Sequence, residues 1–283
     1  MIRYEHKLRT RGYETDRTAT VQIPVYLSHL EHVRWEWLLD EGSGFIPYLN
    51  EGHFFVVLRQ VFSLRRRIGM GVDCEIVGQI ENVGRSTVNL MHRIRRISDG
   101  ALVGHARVTG AWLGPNRRLA RVPDHVRESL ATSSPLPPLE KPTTVGRREA
   151  ILSGYSTIAP PEQVLPLMDV EVTPPKGDAP ENAYRHRLCV RPSQIDIFNH
   201  VNAATWLRFM EDARILGAQE GRLPESAASP SLRVALSYER EAIVGDEIDV
   251  RVWQLPDDPL AYGVVITRGE ETSLCRGRID VLG

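Results

Sequence analysis

Residues 184–214, YRHRLCVRPSQIDIFNHVNAATWLRFMEDAR, repeat residues 4–34, YEHKLRTRGYETDRTATVQIPVYLSHLEHVR, at a constant distance of 180 positions. Nine of the 31 aligned positions are identical, whereas chance would give roughly two. The identical pairs are Tyr4/Tyr184, His6/His186, Leu8/Leu188, Arg11/Arg191, Asp16/Asp196, Val21/Val201, Leu27/Leu207, Glu31/Glu211 and Arg34/Arg214. A fixed offset of this kind is typical of an internal duplication, and it predicts two domains with the same fold.

Each repeat begins with a predicted strand and continues into a predicted helix. In residues 4–11 and 184–191, Tyr, His and Leu recur at every second position, as on one face of a strand. Helices are predicted over residues 24–39 and 202–216 because apolar residues recur there with helical spacing. The residues expected to face the core are Tyr26, Leu30, Val33 and Trp37 in the first helix, and Trp206, Met210, Ala213 and Gly217 in the second.

After each helix the pattern changes to strands, with no further helix expected. Gly42 and Gly217 are predicted to cap the two helices at their C-terminal ends. The predicted strands cover residues 54–63, 73–82, 86–97, 102–113, 231–239, 247–254, 262–267 and 273–282. Strand, helix and four antiparallel strands predict an α+β fold in which one sheet wraps around one long central helix, twice in the chain.

The two repeats are separated by a proline-rich segment. Twelve of the 19 prolines lie between Pro115 and Pro180, which is typical of an extended linker. We therefore expect a first domain at residues 1–125, a linker at 126–182 and a second domain at 183–283. Apolar pieces at residues 149–158 and 164–172 leave open that the linker adds a strand.

Composition narrows the class of protein. The chain has 283 residues and a formal net charge of −1, so no bulk charge favours nucleic acid or a membrane surface. Three cysteines, Cys74, Cys189 and Cys275, lack metal-type spacing and are an odd number, which favours a reducing cytoplasm. No signal-like core or membrane span is apparent at the N-terminus or elsewhere. We expect a soluble cytoplasmic protein.

The second repeat carries reactive side chains that the first repeat lacks. Asp196, His200 and Asn202 lie together before the predicted helix, whereas His200 corresponds to Thr20 and Asn202 to Gln22. Taken alone, Asp196 is better interpreted as a turn or capping residue than as a catalytic one, because Asp is common before helices. Since the scaffold residues persist in both repeats, the loss of His and Asn from one repeat favours a functional role in the other.

This stretch resembles the hot-dog thioesterases of the 4-hydroxybenzoyl-coenzyme A thioesterase superfamily. Their signature is Asp-x-x-Gly-His-Val-Asn-Asn, followed by an aromatic residue, Leu and Glu-x-x-Arg along the helix. The matching residues here are Asp196, His200, Val201, Asn202, Trp206, Leu207, Glu211 and Arg214. Asn199 stands for the Gly, Ala203 for the second Asn and Trp206 for the usual Tyr. The length and duplication resemble acyl-carrier-protein thioesterases of plants and bacteria, which implies a tandem, or double, hot-dog fold with catalysis in the second domain.

The resemblance also implies a catalytic carboxylate on the strand after the helix. The family carries a Leu-Glu-Tyr-Arg-Arg-Glu-like run there, and residues 236–241 read LSYERE, so Glu241 takes that place. Arg67 stands at the corresponding position of the first repeat. One departure is Phe198, which occupies the position of an Asn in the plant enzymes. Asn199 or Asn202 are the alternatives for that role.

The implied reaction is thioester hydrolysis without a metal or cofactor. Asp196 or Glu241 activates water or attacks directly, His200 orients or polarises, and amides at the helix start near Asn202 and Ala203 face the oxyanion. No metal-binding or phosphate-loop motif is apparent in the sequence. Cys189 is interpreted as a small core residue on a strand rather than as a nucleophile.

The sequence indicates the residues that contact the substrate and its carrier less specifically than it indicates the reactive residues. The acyl substrate is expected on an acyl carrier protein or coenzyme A, with Asn199, Phe198, Trp206, Arg66 and Arg67 as candidate contacts. Clusters of basic residues around Arg65–Arg67, His92–Arg96 and Arg117–Arg121 are interpreted first as solvated strand faces. The chain is expected to be a monomer that imitates a dimer, or a homodimer.

Two other functions remain open. Hot-dog hydratases and dehydratases of enoyl thioesters also use an Asp and a His, but their Asp lies five residues before the His and is followed by Asn-Pro, unlike the interval here. A protein that binds an acyl or polyketide thioester without cleaving it is the second alternative, because Phe198 and Ala203 depart from the signature.

Overall fold

The computed structural model describes residues 3–16, 18–131, 151–153, 162–269 and 272–283. Within these ranges the chain forms two compact units. The first unit contains the described residues up to 131 and those from 151 to 168, and the second is Asp169–Gly283.

The first unit is a five-stranded antiparallel sheet with one long helix. Its elements are β1 Arg3–Arg9, α1 Ile23–Leu39, α2 Ile46–Asn50, β2 Phe54–Leu64, β3 Arg66–Arg67, β4 Asp73–Val83, β5 Thr87–Arg96, β6 Leu102–Leu113, α3 Asp124–Ala131, β7 Ile151–Ser153 and β8 Glu162–Val164. The sheet order is β1-β4-β5-β6-β2. Tyr26, Leu30, Val33 and Trp37 of α1 are buried, as their spacing predicted.

The second unit repeats this architecture. Its elements are β9 Tyr184–Cys189, α4 Ala203–Gln219, β10 Ser231–Tyr238, β11 Glu247–Leu255, β12 Asp258–Arg268 and β13 Thr272–Val281. The sheet order is β10-β13-β12-β11-β9, again antiparallel. The predicted face of α4 is buried: Trp206, Met210, Ala213 and Gly217. The predicted α+β pattern of strand, helix and four strands is confirmed in both units.

Helix ends differ from the prediction. Gly217 does not cap α4, because the helix continues to Gln219. A Cβ at Gly217 would lie 2.9 Å from the Tyr184 ring and 2.8 Å from Leu223, so the residue is small because β9 packs closely against the helix. Gly42 lies in a 3-10 turn beyond α1, whose C-cap is Asp40.

Additional elements also depart from the prediction of one helix per repeat. α2 follows α1 closely, and α3 crosses the expected end of the first domain at residue 125. The described part of the proline-rich segment contributes β7 and β8, which form a three-stranded sheet in the order β3-β8-β7. Arg67 pairs there with Gln163. The sequence left open that the linker adds a strand, and the structure confirms that it does.

Several side chains are placed differently from their sequence interpretation. Cys189 is exposed, so its interpretation as a core residue is wrong, whereas Cys74 and Cys275 are buried. The basic clusters are not wholly solvated: Arg65 and Arg93 are buried, and His92 is fully buried with its Nε2 2.6 Å from the Tyr4 hydroxyl. None of the helices within the described ranges has the length and apolar character needed to cross a membrane.

Candidate active site in the second unit

A tight loop between β9 and α4 carries the predicted reactive residues. Ile195 and Val201 form an isolated antiparallel bridge that closes the loop. The backbone amide of Asp196 donates to the His200 carbonyl at 2.8 Å, and that of Asn199 donates to the Asp196 carbonyl at 3.0 Å. Asn199 has a φ of +66°, a left-handed conformation that favours Gly or Asn. This backbone geometry explains why the family signature has Gly at this position.

Asp196 organises the loop through its side chain. One carboxylate oxygen, Oδ1, accepts hydrogen bonds from the backbone amides of Phe198 at 2.9 Å and His200 at 3.4 Å. The interpretation of Asp196 as a turn residue is therefore confirmed as part of its role. The same carboxylate lies beside the imidazole, because Oδ1 is 4.0 Å from His200 Nδ1.

His200 lies between two carboxylates. Its Nε2 is 3.4 Å from Glu241 Oε2, while its Nδ1 faces Asp196. The His200 side chain is 14% exposed, against 56% for Glu241. The Phe198 ring stacks beside the imidazole, with centroids 6.1 Å apart and planes 19° from parallel. The imidazole thus has a carboxylate oxygen within 4.0 Å of each nitrogen and an aromatic ring stacked beside it.

Glu241 comes from the opposite side of the site. It lies in the loop after β10 and not on the strand itself, which corrects the sequence expectation. The amides of Glu239 and Arg240 both donate to the Leu274 carbonyl, at 2.8 and 3.0 Å, and the Val201 amide donates to the Ala242 carbonyl at 2.9 Å. These bonds fix the Glu241 loop directly against the His200 loop.

The start of α4 completes the site. Asn202 is the N-cap, and its side chain accepts a hydrogen bond from the Ala204 amide at 2.9 Å. The Thr205 amide donates to the Asn202 carbonyl at 2.9 Å. Tyr238 donates its hydroxyl proton to the Ala203 carbonyl at 3.0 Å. The sequence pattern around Tyr238 indicates no role for this residue. The fold shows that its hydrogen bond holds the start of α4.

The candidate substrate contacts fall into different environments. Trp206 is 4% exposed and packs against Phe209, so it is a core residue. Phe198 and Asn199 lie in the loop of Asp196. Arg66 and Arg67 belong to β3 of the first unit and are half-buried.

The equivalent loop of the first unit has the same backbone but different chemistry. Ala19 has a φ of +56°, and the Asp16 amide donates to the Thr20 carbonyl at 3.0 Å. Arg67 donates to the Thr20 and Thr18 hydroxyls at 2.6 and 2.7 Å, and Thr18 donates to the Asp16 carboxylate. Burial lowers the pKa of Arg67, and the nearby Asp16 opposes this shift. A hydroxyl–guanidinium network fills the place of the imidazole between two carboxylates.

Both halves of the chain match thioesterase family models. Residues 11–130 match the thioesterase-like superfamily, and residues 177–280 match the acyl-ACP thioesterase C-terminal domain. A chloroplastic acyl-acyl carrier protein thioesterase of Arabidopsis thaliana is 23% identical over 124 residues, which are 44% of this chain. The match covers 66% of that relative, just under two thirds of its length.

Solved structures resemble the chain over nearly its whole length. An oleoyl thioesterase from Lactobacillus plantarum has a TM-score of 0.73 at 16% identity, with coverage of 99% of this chain and 97% of that one. An acyl-ACP thioesterase from Bacteroides thetaiotaomicron gives 0.72 at 17% identity, covering 98% and 97%. The 12:0-ACP thioesterase from Umbellularia californica gives 0.71 at 15% identity, covering 98% and 93%. These likenesses confirm the tandem hot-dog fold.

Proposed function

Both halves of the chain belong to thioesterase families of the hot-dog fold, and from this we propose that the protein is an acyl thioesterase, which hydrolyses an acyl-carrier-protein or acyl-coenzyme A thioester to a free acid and a thiol. One observation carries the proposal. In the unit that matches the acyl-ACP thioesterase C-terminal domain, His200 lies between the carboxylates of Asp196 and Glu241. Thr20 and Arg67 take the equivalent positions of the other unit.

The arrangement supports different roles for the two carboxylates. Asp196 Oδ1 already accepts two backbone hydrogen bonds, so we assign Asp196 to holding the loop and the imidazole. Glu241 is the more exposed carboxylate and lies against His200 Nε2. We assign Glu241 to the activation of water, with His200 orienting the Glu241 carboxylate and sharing the proton.

The reaction then proceeds by addition and elimination. Water adds to the thioester carbonyl carbon while its proton passes to Glu241, giving a tetrahedral intermediate with a negative oxygen. The first turn of α4 is a suitable place for that oxygen, because helix N-termini present amides and a partial positive charge. The Ala204 and Thr205 amides are engaged by Asn202, so we assign the Ala203 amide. Collapse breaks the carbon–sulfur bond, and the proton returns to the thiolate.

The flanking surface fits an apolar substrate. Ile197, next to Asp196, is 84% exposed, and Ile243 and Val244, next to Glu241, are also exposed. Apolar side chains on both loops give an acyl chain or its carrier a surface to contact. An acyl carrier protein is the favoured carrier because the second half matches the acyl-ACP thioesterase C-terminal domain. We place the activity in lipid metabolism.

Three further proposals concern the origin, the location and the oligomeric state of the chain. The 180-residue offset, together with the repeated loop backbone, supports an origin by internal duplication. Three free cysteines support a cytoplasmic location. A monomer or a homodimer remains the proposal for the oligomeric state.

Thiol release tests the proposal. Native protein and the variants Glu241→Gln, His200→Ala and Asp196→Asn are assayed with a panel of acyl-ACP and acyl-coenzyme A thioesters. We expect Glu241→Gln to reduce kcat by about 100-fold or more, because general-base catalysis contributes that much. Glu239→Gln is the matched control, since Glu239 is a nearby carboxylate that pairs with Arg276 at 2.9 Å.

The same panel separates the alternatives. No thiol release by the native protein with any thioester would refute hydrolysis. Water addition to an enoyl thioester would instead identify a hydratase, and saturable binding without turnover would identify an acyl-binding protein. Equal losses in Glu239→Gln and Glu241→Gln would contradict the assigned role of Glu241. Circular dichroism of each variant verifies that the fold is intact.

A further inference from the structure

We infer that His6, His32 and Glu36 of the first unit form a binding site for a divalent transition-metal ion such as Zn²⁺. This site is separate from the residues assigned to hydrolysis, which lie in the second unit. It does not depend on the proposed thioesterase activity.

Strand and helix geometry bring the three residues together. His32 and Glu36 are four residues apart and therefore lie on one face of α1. His6 lies on β1, on the same strand face as the buried Tyr4. The His6 and His32 rings meet edge to face, with centroids 4.9 Å apart. One potential ligand atom from each residue lies within 4.8 Å of the other two.

Two imidazoles and one carboxylate are a ligand set that suits zinc. Bonds of about 2.0–2.2 Å in tetrahedral geometry place ligand atoms about 3.4 Å apart. The side chains must therefore close by roughly 1 Å, which rotamer changes can supply because His32 and Glu36 are exposed. Imidazole nitrogen also favours zinc, copper and nickel over magnesium and calcium.

The surroundings favour a cation with one open coordination position. A cavity of about 320 Å³ adjoins His6 and Glu36. Glu5 and Asp40 also line it, and its described lining contains neither lysine nor arginine. The Glu36 and Asp40 carboxylates lower the energy of a bound cation there, whereas Glu5 is already paired with Arg3 at 2.7 Å. The cavity leaves room for water or a small anion as the fourth ligand, as in zinc sites with three protein ligands.

The second repeat provides an internal comparison. At the positions equivalent to His6, His32 and Glu36 it has His186, Asp212 and Leu216. The third ligand is thus replaced by an apolar residue, so the second unit cannot form the same set. His186→Ala is therefore a control that removes an equivalent strand histidine without affecting the site.

Zinc titration of the full-length chain tests the inference. Tag-free protein is stripped with a chelator and titrated with Zn²⁺ alone, in competition with a chromophoric chelator. We expect one Zn²⁺ per chain, and we expect His6→Ala, His32→Ala and Glu36→Gln each to weaken binding about tenfold or more. His186→Ala, and His53→Ala, which removes a first-unit histidine that stacks on Trp112 and is not part of the triad, are expected to bind as the native chain does. Co²⁺ in place of Zn²⁺ should give the visible absorption bands of a tetrahedral site.

A second measurement concerns stability. Because bound metal stabilises only the folded chain, Zn²⁺ should raise Tm in the native protein and in His186→Ala, and by clearly less in His32→Ala at the same Zn²⁺ concentration. The inference is overturned if the native chain shows no saturable Zn²⁺ binding. It is also overturned if the triad variants, shown by circular dichroism to be folded, retain native affinity, or if the two control variants lose it equally.

Discussion

The left-handed backbone of Asn199 sets the shape of the loop that carries Asp196 and His200. Its φ of +66° turns the chain between Asp196 and His200, and Ala19 adopts the same conformation 180 residues earlier. A left-handed conformation costs an ordinary residue about 1–2 kcal/mol, Asn less, and Gly almost nothing. The residue type at this position therefore controls how firmly the Asp196 carboxylate and the imidazole are held together.

Substitution of Asn199 should reveal that cost. We expect Asn199→Gly to keep the free energy of unfolding within about 0.5 kcal/mol, and Asn199→Val to lower it by about 1–2 kcal/mol because a β-branched residue is strained there. Urea denaturation followed by circular dichroism measures both. Ile197→Val, at an exposed position in the same loop, is the control; a loss there as large as in Asn199→Val would contradict the role of φ.

The three thiols should differ sharply in reactivity. Burial raises the pKa of Cys74 to about 12 and raises that of Cys275 well above its usual range, so both remain protonated and shielded. Cys189 is exposed. Iodoacetamide should modify Cys189 alone in the folded protein, as read by peptide mass spectrometry, and should leave thiol release intact. Rapid modification of Cys74, or loss of turnover when Cys189 is modified, would contradict this expectation.

At the residue scale, the sequence predicted which side chains form the candidate site better than what each one does. The difference between His200 and Thr20 is visible in the repeat alignment, because a duplicated scaffold makes every departure informative. The separate roles that we propose for Asp196 and Glu241 are not predictable from the sequence. It depends on two backbone amides that reach Asp196 Oδ1 only when the loop is folded.

At the scale of elements, close contact between β1, β4 and α1 depends on one glycine. Tyr4 lies opposite Gly78 in the β1–β4 register, and a Cβ at Gly78 would come within 2.1 Å of the Tyr4 ring. That ring cannot move aside easily, because it stacks on Trp37 at 5.0 Å and its hydroxyl meets His92 at 2.6 Å.

Gly78→Ala should therefore destabilise the protein. We expect a loss of about 1–3 kcal/mol in the free energy of unfolding, the usual cost of overpacking a core. Gly114→Ala is the control, since the nearest atom to its added Cβ lies at 3.5 Å. Denaturant unfolding measures both, and equal stabilities of the two variants would show that the Tyr4 ring is free to rearrange.

Helices and strands with a clear period of apolar residues were predictable from the sequence. Elements that depend on contacts between distant parts of the chain were not. The core-facing spacing of α1 and α4 placed both helices to within a few residues. The five-residue helix α2 is too short to show a period, and β7 and β8 have only three residues each. β8 pairs with β3 and so brings together residues about 100 positions apart in sequence, and β7 pairs with β8; no local pattern records these contacts. The prediction that Gly217 caps α4 is wrong because a glycine near the end of a helical pattern can mark either the helix end or a tight packing contact.

At the scale of the whole molecule, one chain carries two units with the same backbone plan and different chemistry. Asp16 and Asp196 both begin the loop, and both loops close with an amide bonded across it. Among the described residues of the two loops, an imidazole between carboxylates occurs only in the second unit. In the first unit, threonine hydroxyls and Arg67 satisfy one another, so that loop has a structural network in place of a proton-transfer pair.

This asymmetry predicts one hydrolytic centre per chain. Copying the first unit's residues into the second, as His200→Thr with Glu241→Arg, should lower kcat by about 100-fold or more because neither a base nor an imidazole remains. Thr20→Ala, which alters the equivalent position of the first unit, should leave kcat within about twofold, since that threonine has no part in proton transfer. Steady-state thiol release and circular dichroism on all three proteins measure this. Substantial turnover in the folded double variant, or an equal loss in folded Thr20→Ala, would mean that the first unit takes part in the chemistry.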